Sequence, residues 1–454
     1  MTRVMQPSMP ITLLFALVFA LGCGEAASDE PPKDPNGPPP AMDSVSQLMS
    51  EKEREEPSAS DSDLAELVGD HTSFGLWMYH QGVEATGAEE NLLFSPLSIS
   101  TAFAMLWPGA VDETAGEIAD MLHFRMDPGS FHPAANLLDR ELASRGEYQP
   151  GEDEGEAPIL EIVNDLWGLD EYPYVQEYLD LLARHYGAGM WIVDFVGAAE
   201  AARREINEYI AYKTRDLIKE LLPEGSITPL TRLVLTNAIY FKGAWLHPFN
   251  EAVTSDAPFS ALDGGSTDVP MMSGTIDRAS YARVDGAEAV ELFYVGDDLS
   301  MVLILPDEGS FAEFEAGLDA DRLSGIMDSL TPMEGSLAMP RFEFDSELDL
   351  RRIFEGEGYS LPFSPGEADF SSLSEVALEE DLHVSGAFHK AAIIVDEEGT
   401  EAAAATAITV GATSAPADYF NVRLDRPFLF VIRDRPTGTV LFMGRLVDAA
   451  AAQG

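Results

Sequence analysis

Apolar residues recur along this chain with two different periods. Leu64, Leu67, Val68, Phe74, Trp77 and Met78 follow the three-to-four spacing of one helix face, which predicts a helix there. Ser98 to Leu106 reads as a second, apolar helix entered through Ser95-Pro96. Proline suits a helix start because its missing N–H would have no partner there. Farther on, the period shortens. RLVLTNAIYF (232–241), SMVLILP (300–306), KAAIIVD (390–396), FLFVI (428–432) and VLFMGRLV (440–447) are strand-forming runs. Helices cluster early and strands dominate late, which predicts an α+β fold. No linker and no internal repeat interrupts the pattern from Leu64 to about Val447, so about 385 residues read as one domain. GEDEGEAP (151–158) reads as a solvated loop within it.

The pattern ahead of that domain is different. Arg3 precedes an apolar run, Ile11 to Leu21, that is too short to span a bilayer of about 30 Å. Residues 1–22 therefore read as an export signal. The run ends in Ala20-Leu21-Gly22-Cys23, which resembles a bacterial lipobox with Ala20 in place of the usual Leu. On that reading Cys23 is lipidated and becomes the mature N-terminus. An ordinary cleavage site beside an idle Cys is the other reading. Gly24, in place of Asp, points to the outer membrane or cell surface if the anchor forms, and to an extracellular protein if it does not. Residues 23–62 are dominated by Pro, Ser and charge and are expected to form a disordered tether. The domain is expected over 63–450.

Composition narrows the function. The chain has 454 residues, of which 46% are hydrophobic, with 27 basic and 79 acidic side chains, a formal charge of −52. Nucleic acid is excluded as a partner, because phosphates need Lys and Arg. Such an acidic, Lys-poor surface repels itself and is best tolerated where salt screens it. Cys23 is the only cysteine, so there is no internal disulfide and no Cys-based zinc site. The eight His residues show no metal-binding spacing. No nucleophile elbow, zinc helix, phosphate loop or dinucleotide fingerprint is present. No cofactor and no metal is expected, and an enzyme is not expected. Asp396-Glu397-Glu398 read as solvated carboxylates.

Residues 390–417, KAAIIVDEEGTEAAAATAITVGATSAPA, are unusual for a loop. A buried-looking strand runs into acids, a pivot glycine and then small residues. At a period of two, Thr400, Ala402, Ala404, Thr406 and Ile408 share one small, uncharged face, and Glu401 falls on the other. That describes a loop able to become a strand. An Ala-rich helix fits the same letters, and spacing alone does not choose between them.

Several motifs now resemble one family, the serpins, over roughly residues 66–447. Asn91 to Ile99 is similar to its N-x-x-x-S-P-x-S-I segment, and Gly109-Ala110, Thr114 and Glu117-Ile118 follow. Asn164-Asp165-Leu166-Trp167 resembles the start of the third strand of the family's central sheet A, and Tyr186 to Phe195 the segment after it. Leu235 to Trp245 and Pro248-Phe249 match closely. His389-Lys390-Ala391 leads into a hinge-like stretch, Glu397-Glu398-Gly399-Thr400-Glu401-Ala402-Ala403-Ala404-Ala405-Thr406. Asp425 to Phe430 and Leu441 to Arg445 complete the series. Tyr209 where the family usually has Trp, Glu357-Gly358-Tyr359 and Arg423 depart from it.

The resemblance implies one domain of three β-sheets with about eight or nine helices and an exposed reactive-centre loop, here about 397–420. It implies a monomeric inhibitor used once. A serine protease attacks the loop, forms an acyl-enzyme, and is distorted when the freed hinge inserts into sheet A. Ser95, Asn237 and His389 match the family's shutter positions, and Trp245 its breach. Loop length places the scissile bond at Thr413–Ser414, within a window from Val410 to Ala415. The small and β-branched residues there favour an elastase-like or subtilisin-like serine protease with a small or apolar pocket. A papain-like cysteine protease, or a non-inhibitory serpin serving as a surface binding or structural lipoprotein, are the alternatives. A secreted hydrolase is retained only formally.

Overall fold

The computed structural model describes residues 40, 42–149, 155–170, 172–400 and 419–453. Among them nine α-helices and sixteen strands occur, with helices concentrated early and strands late. Helix α1 (Asp61–Thr86) begins where Ser60 and Asp63 exchange hydrogen bonds: Ser60 Oγ accepts the Asp63 N–H, and the Asp63 carboxylate accepts the Ser60 N–H. Helix α2 (Pro96–Leu106) starts at Ser95, whose Oγ accepts the Ser98 N–H. Ten of its eleven residues are buried, so its Ser and Ala positions are what allow close packing on every side. Helices α3 (Pro128–Ser144), α4 (Gln176–Tyr186) and α5 (Phe195–Lys213) lie later in the chain.

The central sheet has seven strands: β1 (Val45–Leu48), β2 (Ile159–Leu169), β3 (Met190–Val193), β4 (Leu233–Ala244), β5 (Phe342–Asp349), β6 (Val384–Val395) and β7 (Gly399–Thr400). Their spatial order is β1-β3-β2-β4-β7-β6-β5, with β4 and β6 also paired directly. Asn164 to Trp167, expected at the start of a strand of this sheet, lie in the second half of β2, between β3 and β4. β4 reads as a continuous apolar run because both of its faces are covered. Leu233, Leu235, Ile239 and Phe241 join the core that contains α2. Val234 and Ala238, one position out of phase, join a second core with Ile206 and Ile210 of α5. Tyr209, one of the departures from the family pattern, packs edge-on against Trp167 and Trp191 there.

The resemblance implies three sheets. Hydrogen bonding joins the remaining described strands into one nine-stranded sheet. The 19-residue strand Ser266–Val284 makes it continuous. It pairs in turn with Ser255–Ser260, Thr331–Pro340 and Ala287–Phe293, so parts that shorter strands would separate share one ladder.

The tether expected over 23–62 is held against the domain over residues 42–60. β1 pairs antiparallel with β3, from Val45↔Val193 to Leu48↔Met190. Val45 packs against the α5 core and Leu48 against the α2 core. Arg54 then donates to Asn136 Oδ1 at 2.8 Å and pairs with Asp139 at 2.7 Å, while the Glu55 N–H reaches Arg184 O at 2.9 Å. Low hydrophobicity prevents such a segment from building its own core, but adding to a free strand edge needs only backbone groups and a few side-chain pairs.

Candidate functional site: the hinge and the split in the central sheet

β4 and β6 run parallel and adjacent from Val384↔Leu233 to Ala391↔Ile239. Beyond that pair they part, and β7 stands between them. Gly399 lies opposite Ala244, and Thr400 opposite Gly243 on one side and Val395 on the other. The backbone approach here requires glycine. A Cβ on Gly399 would lie 2.1 Å from Gly243 O and 2.8 Å from Ala244 Cα.

The residues around β7 hold it by specific bonds. Thr400 is buried, and its Oγ1 is 2.8 Å from the Tyr294 hydroxyl. Tyr294 stacks on Trp245 with ring centroids 4.6 Å apart. Trp245 Nε1 donates to Asp396 O at 3.0 Å, and its backbone N–H to Glu398 O at 2.8 Å. The Phe249 N–H donates to Glu397 O at 2.7 Å. The Asp396 carboxylate accepts the N–H groups of Glu398 and Gly399, which turns the chain from β6 back into the sheet. Glu397 is buried, contrary to its reading as a solvated carboxylate. It is satisfied by Thr254 Oγ1 at 2.5 Å and by an ion pair with Arg341. Burial pushes its pKa up, but the bonds from Thr254 and Arg341 outweigh that and hold it below the ordinary glutamate range.

Two residues below the last β4–β6 pair, polar side chains cross three strands in one row. Asn237 of β4 is in register with Asn164 of β2 on one side and with His389 of β6 on the other. The Ser95 N–H donates to His389 Nε2 at 3.1 Å, so the neutral imidazole carries its proton on Nδ1 and donates it to Asn237 Oδ1. The Asn237 side chain continues to the Asn164 carboxamide, which is 2.9 Å from Ser98 Oγ. His389 is completely buried, and that burial lowers its pKa to about 3. Any separation of β4 from β6 at this row would break the His389–Asn237 bond.

Of the positions singled out in the sequence, the structure brings Ser95, Asn237 and His389 into one cluster. It brings Trp245, Glu397, Gly399 and Thr400 into another. Glu401, Ala402, Ala403, Ala404, Ala405, Thr406, the Thr413–Ser414 bond and Cys23 lie outside the described residues. Sequence reasoning missed Tyr294, Thr254, Arg341 and the shared role of Asn164 and Ser98. Asn164 carried a signal only through the resemblance of Asn164 to Trp167 to the family, which names no partner for it. Tyr294 and Arg341 carried none, because only the tertiary fold sets them beside the hinge.

Comparisons with known proteins agree with this geometry. A family model described as Serpin (serine protease inhibitor) matches residues 70–449. An uncharacterized serpin-like protein of Thermococcus kodakarensis is 35% identical over 95% of this chain and 96% of its own length. Plasminogen activator inhibitor 1 of Sus scrofa is 36% identical over 83% of this chain and 91% of its own. In fold, the chain is similar to the native state of a thermophilic serpin, tengpin, with a TM-score of 0.76, 24% identity and coverage of 88% and 97%.

Proposed function

The chain belongs to the serpin family, and from that premise we propose that it is a single-use inhibitor of a serine protease with a small or apolar specificity pocket. The observation that carries this reading is β7. The sheet already accepts two hinge residues, Gly399 and Thr400, between β4 and β6. In the sequence the next inward positions are Ala402, Ala404 and Thr406, with no charge or bulk to oppose further insertion.

In the proposed reaction the serine Oγ of the protease attacks the Thr413 carbonyl carbon. Its proton passes to the protease base and then to the departing amine of Ser414. The Thr413–Ser414 bond breaks and an ester joins Thr413 to the protease. The freed segment extends β7 down the sheet, parts the Asn237–His389 row and carries the attached protease away before water reaches the ester. The serpin is consumed, and this chain performs no turnover of its own.

The lipobox-like end of the export signal supports membrane attachment through Cys23 at the outer membrane or cell surface. Residues 24–41 are then the length of tether ahead of Met42 and span at most about 60 Å. The protein acts as a monomer on a protease outside the cell.

Incubation with elastase and with subtilisin, followed by a denaturing gel and mass spectrometry, tests the reading. A complex that survives denaturation, with a released peptide beginning at Ser414, is expected. Complete cleavage without a complex, by these enzymes and by papain-like ones, contradicts it.

A further inference from the structure

The core beneath α5 takes Val163 and Trp167 from β2 and Val234 and Ala238 from β4, and Phe388 and Ala392 of β6 pack against it. One core therefore bridges β4 and β6, the two strands between which β7 stands. Because a packed core yields little, growth of β7 must strain the seat of α5.

Asp165 puts a carboxyl group into that seat. It lies on the same face of β2 as Val163 and Trp167. Its Oδ1 accepts Trp191 Nε1 at 2.7 Å, and Trp191 packs edge-on against Tyr209 of α5. Asp165 Oδ2 is buried without a hydrogen-bond partner among the described residues. Such an oxygen costs far more on a carboxylate than on a neutral carboxyl group. Burial raises the Asp165 pKa to about 6, against the bond from Trp191 and the charge of Lys213 on α5, which lower it. Tyr209, the other titratable group of α5 beside it, is a phenol whose own pKa is raised by burial and by Asp165. The ladder neighbour on β4 is Thr236, and Glu161, farther along the same face of β2, is paired with Arg215.

We propose that Asp165 makes α5 a pH-sensitive strap over the split: as the carboxylic acid it seats the helix, and as the carboxylate it loosens the helix and speeds insertion of the hinge. The device presupposes that the chain traps a protease by insertion. With α5 displaced, Asp165 meets water and its pKa returns toward the ordinary 3.8. Displacement therefore releases a proton between that value and about 6, becomes easier as the pH rises through this range, and levels off above it. From pH 5 to 7 the equilibrium for displacing α5 should rise about tenfold.

Hydrogen exchange of the full chain at pH 5 and 7 tests the seat, and reaction with elastase and with subtilisin at the same two values tests insertion. Protection factors at Ile206–Ile210 should fall about tenfold from pH 5 to 7 in the native chain. In Asp165→Asn, which keeps the bond from Trp191 and carries no charge, they should change by less than about twofold. Protection at Phe103–Met105 in α2 should be the same in both proteins. The yield of covalent complex per cleaved loop is compared as the ratio of native chain to Asp165→Asn, which cancels the protease's own pH dependence. That ratio should rise at least about threefold from pH 5 to 7. An equal pH response of α5 in both proteins, or a yield ratio that does not change with pH, would overturn the proposal. No complex from either protein at either pH, with the exchange response of α5 intact, would overturn the inhibitory reading itself and the insertion step with it. Should Asp165→Asn fold poorly, Asp165→Ser, equally uncharged, takes its place.

Discussion

At its outer edge the central sheet gains four residues, β1, against one neighbour; in its interior it gains two, β7, between two neighbours. β1 leaves Ser46 and Gln47 exposed and is fixed further along by charged pairs at Arg54. β7 is buried and is fixed by one hydroxyl contact, a glycine-only approach and backbone bonds from Trp245 and Phe249. β1 lies at the edge and separates no other pair of strands. By the register of β7, growth as far as position 404 would meet the Ile239–Ala391 pair, and growth to position 406 would require β4 and β6 to part at the Asn237–His389 row. On the proposed mechanism the first addition is finished, whereas the second is a start that has still to pass the Asn237–His389 row. A strand at an edge adds stability, and a strand started inside a closed sheet stores a conformational change.

Stopping β7 from growing should have the largest effect. Thr400→Arg puts a charge against Tyr294 in a buried site, at a cost of several kcal/mol unless it is paired. Insertion should slow until deacylation wins, and the yield of covalent complex should fall at least tenfold while loop cleavage continues. Undiminished complex formation would show that Thr400 does not face inward during insertion. Gly399→Ala, which meets Gly243 O, should expel β7 and increase hydrogen exchange at Gly243 and Ala244 without greatly altering exchange in β1.

Acid should have the next largest effect, through three buried histidines of which only His389 belongs to the Asn237–His389 row. His71, His132 and His389 have pKa values lowered by burial to about 4, 3 and 3. They remain neutral in the fold, while the unfolded chain takes up their protons below pH 6.5. Their part of the stability is whole above pH 6.5 and is lost as the pH falls. From pH 7 to 5 each costs about 2 kcal/mol. Asp165, raised to about 6, works in the opposite direction and returns about 1.4 kcal/mol over the same range. Urea unfolding at pH 7 and 5 measures the net loss, and His389→Gln should remove about a third of the histidine contribution. A pH slope unchanged by His389→Gln would mean that this imidazole titrates normally.

The smallest expected effect concerns β1. Arg54→Ala removes a half-buried pair with Asp139 and the bond to Asn136, worth about 1 kcal/mol together. Hydrogen exchange should rise at Val45–Leu48 and Met190–Val193 and remain the same at β7. A rise at β7 as well would show that the two additions are coupled through the sheet.

These contrasts also explain what the sequence discloses. The fully apolar run of β4 and the period-two face beginning at Thr400 state their environments directly, because burial on each face selects the side chains. Ser95, Asn237 and His389 were legible only through their resemblance to a family pattern, since a lone polar residue in a strand does not name its partners. Residues 42–60 were illegible as structure. Their Pro, Ser and charge suit solvent, and what orders them is an open strand edge supplied by residues 190–193. Tyr294, Thr254 and Arg341 were illegible for the same reason, because each acts on a hinge far away in sequence.

Inhibition by insertion requires the hinge to enter the central sheet once the loop is cut. A crystal structure of the loop-cleaved chain measures this directly. Residues 401–412 are expected as a full strand between β4 and β6, with Asn237 and His389 no longer bonded to each other. A cleaved chain in which β4 and β6 still pair from Leu233 to Ile239, with the hinge ending at Thr400, would contradict it.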